Sequence, residues 1–509
     1  MENDGQLLKR VGNAFFWNTL LLPTIGATTL IGSIFIARWL SLEAFAIYSI
    51  ANAIISSLLL YGDLGIGVGL SKFLPELISR KAKGEVKRLV FFLIFLKTII
   101  YVSVFALIVT FLDAASTLLK IRSEYHFIFY FVGIIVIFDS IYHLLRNFLW
   151  STFEQKKANS ISVFFSAVQP LLIIVFILAN KGVRGVLWAM VICSLSRMIF
   201  FCVASMQKIR ELESPTTPEG VGPYAYRFVK IALSTYVIRV TEYFISIPFI
   251  TLILAYFVGN REVAIFALAA EFVMRFLSLS LTPTHGWVLP LFSTVFNTKD
   301  EVMFKNFFSN TVKILTFLSI PFGGFLFSFS DYLIPLLYSG RFAPSVPLAN
   351  ILIVFIFLTY STFAASNAAI LSGERLKVFL LVRLTPVLLT PLYVVIIPEF
   401  GLVGAAYFFG GTRLIMSLLF LVVTMRNFDF EYPYVFCGKI FIVVMVTCAS
   451  AIVFGLLGKG NVGFLVMEVI VFFTILLGLL KVFQVINESE KEIMQKMDIP
   501  ILKYILRYA

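Results

Sequence analysis

Fourteen separate stretches of this chain are each long and apolar enough to cross a bilayer, and little sequence is left between them for a soluble domain. A spanning helix needs roughly 20 mostly apolar residues. The stretches are 12–37, 46–70, 89–112, 125–149, 160–180, 183–206, 228–258, 264–285, 307–329, 348–371, 378–397, 402–425, 436–457 and 462–486. Helices are the expected form, because every backbone group in lipid must be satisfied within the segment or in a closed barrel, and barrel strands alternate over only about ten residues. The first apolar run follows Lys9 and Arg10 but carries no small-residue cleavage site, so it reads as a retained helix. The composition, 60% hydrophobic and 14% charged with 56 Phe, is that of a polytopic membrane protein rather than a soluble one.

A net charge of +13 raises the question of nucleic acid, and the placement of the basic residues answers it. With the N-terminus in the cytoplasm, 26 Lys and Arg fall on inside segments and adjoining helix ends, and eight fall on the opposite loops: Arg38, Lys120, Arg122, Lys181, Arg184, Arg261, Arg341 and Lys459. That asymmetry follows the positive-inside rule and predicts both termini in the cytoplasm of an inner-membrane protein. The run Arg80-Lys81-Ala82-Lys83 reads as a retention signal against anionic headgroups, and no nucleic-acid partner is implied.

Catalytic chemistry finds little to work with. Cys193, Cys202, Cys437 and Cys448 all lie in apolar spans without metal-ligand spacing, and the three histidines, His126, His143 and His285, are scattered. No GxSxG, phosphate-binding loop or nucleotide-binding glycine pattern occurs in a cytoplasmic segment. The expectation is a protein that is not an enzyme and uses neither a metal nor another cofactor.

The chain also repeats itself. Ala46-Ile47-Tyr48 matches Ala264-Ile265-Phe266 at an offset of 218, Leu74-Pro75 matches Leu289-Pro290 at 215, Glu154 matches Glu374 at 220, and Gly182 matches Gly401 at 219. Matches at nearly one offset predict two pseudo-symmetric six-helix bundles, 1–207 and 227–426, joined by a cytoplasmic linker 208–226. The even number of spans per half makes the halves parallel, as in transporters that rock one bundle against another about a site near the midplane. Helices 13 and 14 (427–486) fall outside the repeat as an apolar hairpin, and 487–509 reads as a cytoplasmic amphipathic tail.

Seven basic residues lie deeper in the spans: Lys97, Arg197, Arg239, Arg275, Lys313, Arg383 and Arg413. At a lipid-facing helix centre each costs roughly 2.5 to 3.5 kcal/mol, on the order of 20 kcal/mol for the set. Lys97, Lys313 and Arg383 stand near the cytoplasmic ends, where snorkelling explains them. The other four are too central. Thr235, Arg239, Glu242 and Ser246 form one polar stripe at helical spacing, and Glu271, Arg275, Ser278 and Thr282 form another. Shorter stripes occur at Asn52, Ser56 and Asp63, at Asp139, His143 and Arg146, and at Ser162, Ser166 and Gln169. Two readings stand side by side: a hydrated cavity holding an anionic group, or acid–base pairs that neutralise each other along their helices. Arg197 and Arg413 have no carboxylate on their own helices, which favours the cavity. The candidate substrate-binding residues are therefore Arg197, Arg239, Arg275, Arg413, Glu242 and Glu271, and the candidate ion-coupling carboxylates are Asp63, Asp139 and Glu468.

The opening run Ala37-Arg38-Trp39-Leu40-Ser41-Leu42-Glu43-Ala44-Phe45-Ala46-Ile47-Tyr48, with Tyr61-Gly62-Asp63-Leu64-Gly65-Ile66-Gly67 and Phe73-Leu74-Pro75-Glu76, resembles the start of the Wzx-type polysaccharide-biosynthesis flippases. These belong to the multidrug/oligosaccharidyl-lipid/polysaccharide exporter superfamily. Ala46 stands where the family commonly has glycine. The resemblance implies an all-α protein whose two lobes enclose a central cavity. It also implies an undecaprenyl-pyrophosphate-linked oligosaccharide as substrate, such as an O-antigen repeat unit of lipopolysaccharide, moved from the inner to the outer leaflet. A polysaccharide polymerase and a chain-length regulator are the partners that such a pathway suggests. The alternatives are a flippase for another lipid-linked precursor, such as the peptidoglycan intermediate, and a multidrug exporter of the same superfamily.

Overall fold

The computed structural model describes residues 4–79, 83–212, 222–456 and 462–485. Most of the charge run at 80–83, the middle of the linker and the tail 487–509 lie outside the described residues. In chain order the α-helices are α1 (Asp4–Trp39), α2 (Leu42–Gly62), α3 (Ile66–Ser79), α4 (Lys83–Thr110), α5 (Leu112–Leu118), α6 (Phe127–Ser151), α7 (Gln155–Leu178), α8 (Gly182–Leu212) and α9 (Gly222–Tyr243). They continue as α10 (Ile247–Phe257), α11 (Asn260–Asn297), α12 (Glu301–Tyr338), α13 (Val346–Ser372), α14 (Leu376–Arg383), α15 (Thr385–Leu389), α16 (Tyr393–Phe428), α17 (Tyr434–Gly455) and α18 (Val462–Val482). No strand occurs among the described residues. Eleven of their helices are long and apolar enough to cross a membrane, or twelve if one bent pair counts as a single span. Two expected spans, 378–397 and 402–425, run on within one stretch from Leu376 to Phe428.

Several spans break, each for a local reason. The second span divides after α2: Leu64 (φ +48°) and Gly65 (φ +73°) turn left-handed before α3 begins. Gly65 is required there, since a Cβ would collide with the carbonyl oxygen of Ala232 on α9. The seventh span bends by 51° between α9 and α10. Pro248 sits in the first turn of α10 and the Ser246 hydroxyl caps that helix, accepting from Phe249 N–H at 3.4 Å. Ser246 therefore ends the stripe begun at Thr235 rather than extending it. α16 is interrupted at Gly401, with φ +58° and ψ −142°.

One of the repeat's matches recurs as backbone geometry, and a second recurs one residue out of register. Gly182, opening α8, also has a positive φ, +53°, like Gly401. The turn after α6 closes with Glu154 N–H to Leu149 C=O, and the turn after α13 closes the same way with Arg375 N–H to Ile370 C=O. The equivalent of Glu154 in this turn is thus Arg375, one residue beyond the sequence match.

The chain forms two compact units. One holds Met1–Leu279, Leu337–Ser339 and Pro386–Ala405, and the other holds Ser280–Leu336, Gly340–Thr385 and Ala406–Ala509. In the first, α1 lies along α7, α6 against α8, and α2 against α10. Its core includes Leu70, Leu74, Val90, Leu145, Phe148 and Phe201. In the second, Ile314, Phe317 and Phe329 of α12 pack with Ile440 and Val443 of α17 and with Phe472 and Leu476 of α18. The hairpin α17–α18 is therefore built into the core of its unit, and its outer residues, such as Met445 and Val453, remain exposed.

Candidate functional site

A cavity of about 370 Å³ opens in the first unit, lined by Tyr48, Asn52 and Ser56 of α2, Pro248 and Thr251 of α10, and Glu271, Arg275 and Ser278 of α11. Asn52 and Ser56 share one face of α2 because they are four residues apart, and Glu271, Arg275 and Ser278 share one face of α11 at i, i+4 and i+7. The stripes of the second and eighth spans thus meet on one polar space. The bend at Ser246–Pro248 places the start of α10 as its third wall.

Arg275 donates from Nη2 to Glu271 Oε1 at 3.0 Å and from Nε to the same oxygen at 3.3 Å. The pair along the helix expected from the spacing is formed, and both of its members line this cavity. Of the five N–H donors of a guanidinium, these two contacts leave three among the described residues. They suit an anionic oxygen entering the cavity, where a charge-assisted hydrogen bond is roughly twice as strong as a neutral one.

The other sequence-picked residues lie elsewhere. Arg197 on α8 donates from Nη2 to Asp139 Oδ1 on α6 at 2.7 Å, and its guanidinium stacks 4.2 Å from the Tyr142 ring. Its charge is compensated across two helices, which corrects the expectation that it stands unpaired. Asp63 accepts from Lys97 Nζ at 2.6 Å, and the Lys97 side chain is 1% exposed. Lys97 does not snorkel; it is buried on a carboxylate at the break between α2 and α3. Arg239 and Glu242 on α9 are both exposed and neither lines the α2–α11 cavity. Arg239 makes no ion pair among the described residues.

In the second unit Arg413 on α16 makes no ion pair among the described residues, and its charged neighbour is a second guanidinium, Arg383 at the end of α14. Arg383 is 4% exposed and lies 4.9 Å from the Phe379 ring. Snorkelling therefore fails for Arg383 too, and sequence reasoning missed it as a partner of Arg413. Phe379, one helical turn before it, was the only local signal. Glu468 on α18 is 1% exposed, with no partner for Oε2 among the described residues. It fits against Gly455 of α17, where a Cβ would stand 2.6 Å from Glu468 Oε1. Among the described residues no three His, Cys, Asp or Glu gather in a way that could hold a metal ion.

The sequence matches a family described as polysaccharide biosynthesis protein over residues 35–347. No curated protein matches it. The fold is similar to that of an inward-facing multidrug-resistance transporter of the MATE family (TM-score 0.68, 14% identity, 82% of this chain and 98% of that one). It is also similar to the lipid II flippase MurJ in an inward closed conformation (TM-score 0.71, 14% identity, 90% and 96%). A third similar structure is the MATE multidrug transporter DinF-BH (TM-score 0.62, 19% identity, 83% and 97%). At these identities the likeness is one of fold.

Proposed function

Because the chain belongs to the polysaccharide biosynthesis protein family, we propose that it is a flippase for an undecaprenyl-pyrophosphate-linked oligosaccharide repeat unit. It moves that unit from the cytoplasmic to the outer leaflet of the inner membrane by alternating access. Fourteen spans, both termini in the cytoplasm, and two six-span halves at 1–207 and 227–426 complete this reading, with the hairpin and tail added after them. Polysaccharide polymerase and chain-length regulator are the partners it implies.

The observation that supports it most is the α2–α10–α11 cavity with Arg275 on its wall. A pyrophosphate offers pairs of anionic oxygens that a planar guanidinium can hold with paired hydrogen bonds, and a sugar offers hydroxyls for Asn52, Ser56, Thr251 and Ser278. Arg413 with Arg383 supplies positive charge in the second unit, and Arg239 adds an exposed one in the first. Asp63 and Asp139 are engaged with Lys97 and Arg197, so coupling to an ion falls to Glu468 more readily than to either. A second reading, transport of the peptidoglycan lipid precursor, draws on the fold shared with a lipid II flippase and would use the same pyrophosphate chemistry.

The test is the lipid fraction of cells depleted of the protein. Accumulation of the undecaprenyl-linked repeat unit supports the first reading. Accumulation of the peptidoglycan precursor supports the second, and unchanged levels of both with raised dye sensitivity point to a multidrug exporter instead.

A further inference from the structure

A second cavity, of about 430 Å³, lies between α3, α4 and α9 of the first unit, on helices other than the three that line the polar one. Its volume is within the range of small-ligand sites, roughly 300 to 1,000 Å³. The walls are apolar, with Phe73 and Leu77 of α3, Leu93 and Leu96 of α4, and Phe228 and Leu233 of α9 among them. Phe92, Val229 and Leu233 are each 59% exposed at its rim, and on a membrane-spanning surface such a rim faces lipid chains.

One charged residue breaks this apolar lining among the described residues. Glu85, in the first turn of α4, is 3% exposed, and its Oε2 has no hydrogen-bond partner among them. A buried carboxyl oxygen without a partner is costly, and an occupant that donates to it removes the cost. Arg88 follows at i+3 on the same side of the helix and is exposed. A buried acid in the wall of an apolar groove with an exposed cation one turn away is complementary to a zwitterion carrying a hydrocarbon chain.

We propose that this groove holds one acyl chain of an aminophospholipid, with its primary ammonium on Glu85 and its phosphate beside Arg88. An anionic lipid would bring a second negative charge against Glu85, so the pyrophosphate-linked substrate is not its occupant. The quaternary amine of a choline headgroup carries the charge but no N–H, so it fits less well. The site is independent of what the protein transports.

Native mass spectrometry of the full-length protein, equilibrated in detergent with equal amounts of phosphatidylethanolamine, phosphatidylcholine and phosphatidylglycerol of identical chains, tests this. The wild type should retain phosphatidylethanolamine about tenfold over either competitor, the ratio expected for one hydrogen bond to a charged group. Glu85→Gln should bring the three to within about twofold, because it removes the carboxylate charge that pairs with the ammonium. Leu233→Trp, placed on the exposed rim, should reduce retention of phosphatidylethanolamine without lowering the thermal unfolding midpoint. Equal retention of phosphatidylcholine, preference for phosphatidylglycerol, an unchanged preference in Glu85→Gln, or unreduced retention in Leu233→Trp would overturn the proposal.

Discussion

Arg197 and Asp139 meet at 2.7 Å across α8 and α6, a pairing of residues 58 positions apart with the Tyr142 ring against the guanidinium. Both side chains are mostly buried, at 20% and 11% exposure. Removing either partner of such a pair leaves the other charge uncompensated, at a cost of about 3 kcal/mol. Asp139→Ala and Arg197→Ala should therefore each lower the thermal unfolding midpoint and protein abundance. The double variant should recover much of both, as read by fluorescence-detected size-exclusion chromatography. A fully stable Asp139→Ala variant would show that the pair has no structural role.

Arg275 is expected to behave differently. It shares its helix with Glu271 and faces a polar cavity, so Arg275→Ala should abolish glycan export while abundance stays near that of the wild type. Arg275→Lys should restore part of the activity, because the charge persists without the two-pronged donor geometry. Arg239→Ala and Arg413→Ala should likewise lose export, whereas Arg197→Ala should lose export and abundance together. Export is read as surface glycan and abundance by immunoblot of the membrane fraction.

Cysteine labelling should place the turns at Lys157, Thr298 and Glu374 in the cytoplasm and those at Lys120, Arg184 and Arg341 outside. The basis is the distribution of basic residues, 26 against eight. Labelling of Glu374 from outside would invert the second half of the chain.

On the proposed function, the apolar hairpin α17–α18 is the expected seat of the polyprenyl tail, and a small cavity of about 140 Å³ walled by Gly323, Gly324, Phe441 and Met445 adjoins α17. A Cβ at Gly324 would press against Val444, so the absence of a side chain keeps that space open. A lipid-linked substrate with a photoreactive group in its tail should label residues 462–473. Labelling confined to residues before 427 would assign the tail elsewhere.

Periodicity carried the reading as far as single helices allow. Glu271 with Arg275 and Asn52 with Ser56 share faces at fixed spacings, and those faces are the ones that line the polar cavity. Lys97 and Arg197 were misjudged because their acids, Asp63 and Asp139, lie 34 and 58 residues away on other helices, a relation no spacing within one span contains. Arg383 looked close enough to a helix end to reach water, but Phe363, Phe379 and Phe420 surround its guanidinium. The sequence reading runs 228–258 as one span, although Pro248 marks its bend, and the need for Gly65 comes from the approach of Ala232 on α9, which only packing reveals.

The most direct measurement is translocation in proteoliposomes holding the purified full-length protein and an undecaprenyl-pyrophosphate-linked oligosaccharide, with an enzyme added outside to cleave only the exposed sugar. The account predicts that wild-type protein makes nearly all of the substrate accessible, while protein-free liposomes and Arg275→Ala proteoliposomes expose only the half already in the outer leaflet. Wild-type proteoliposomes that stop at the protein-free level would contradict it.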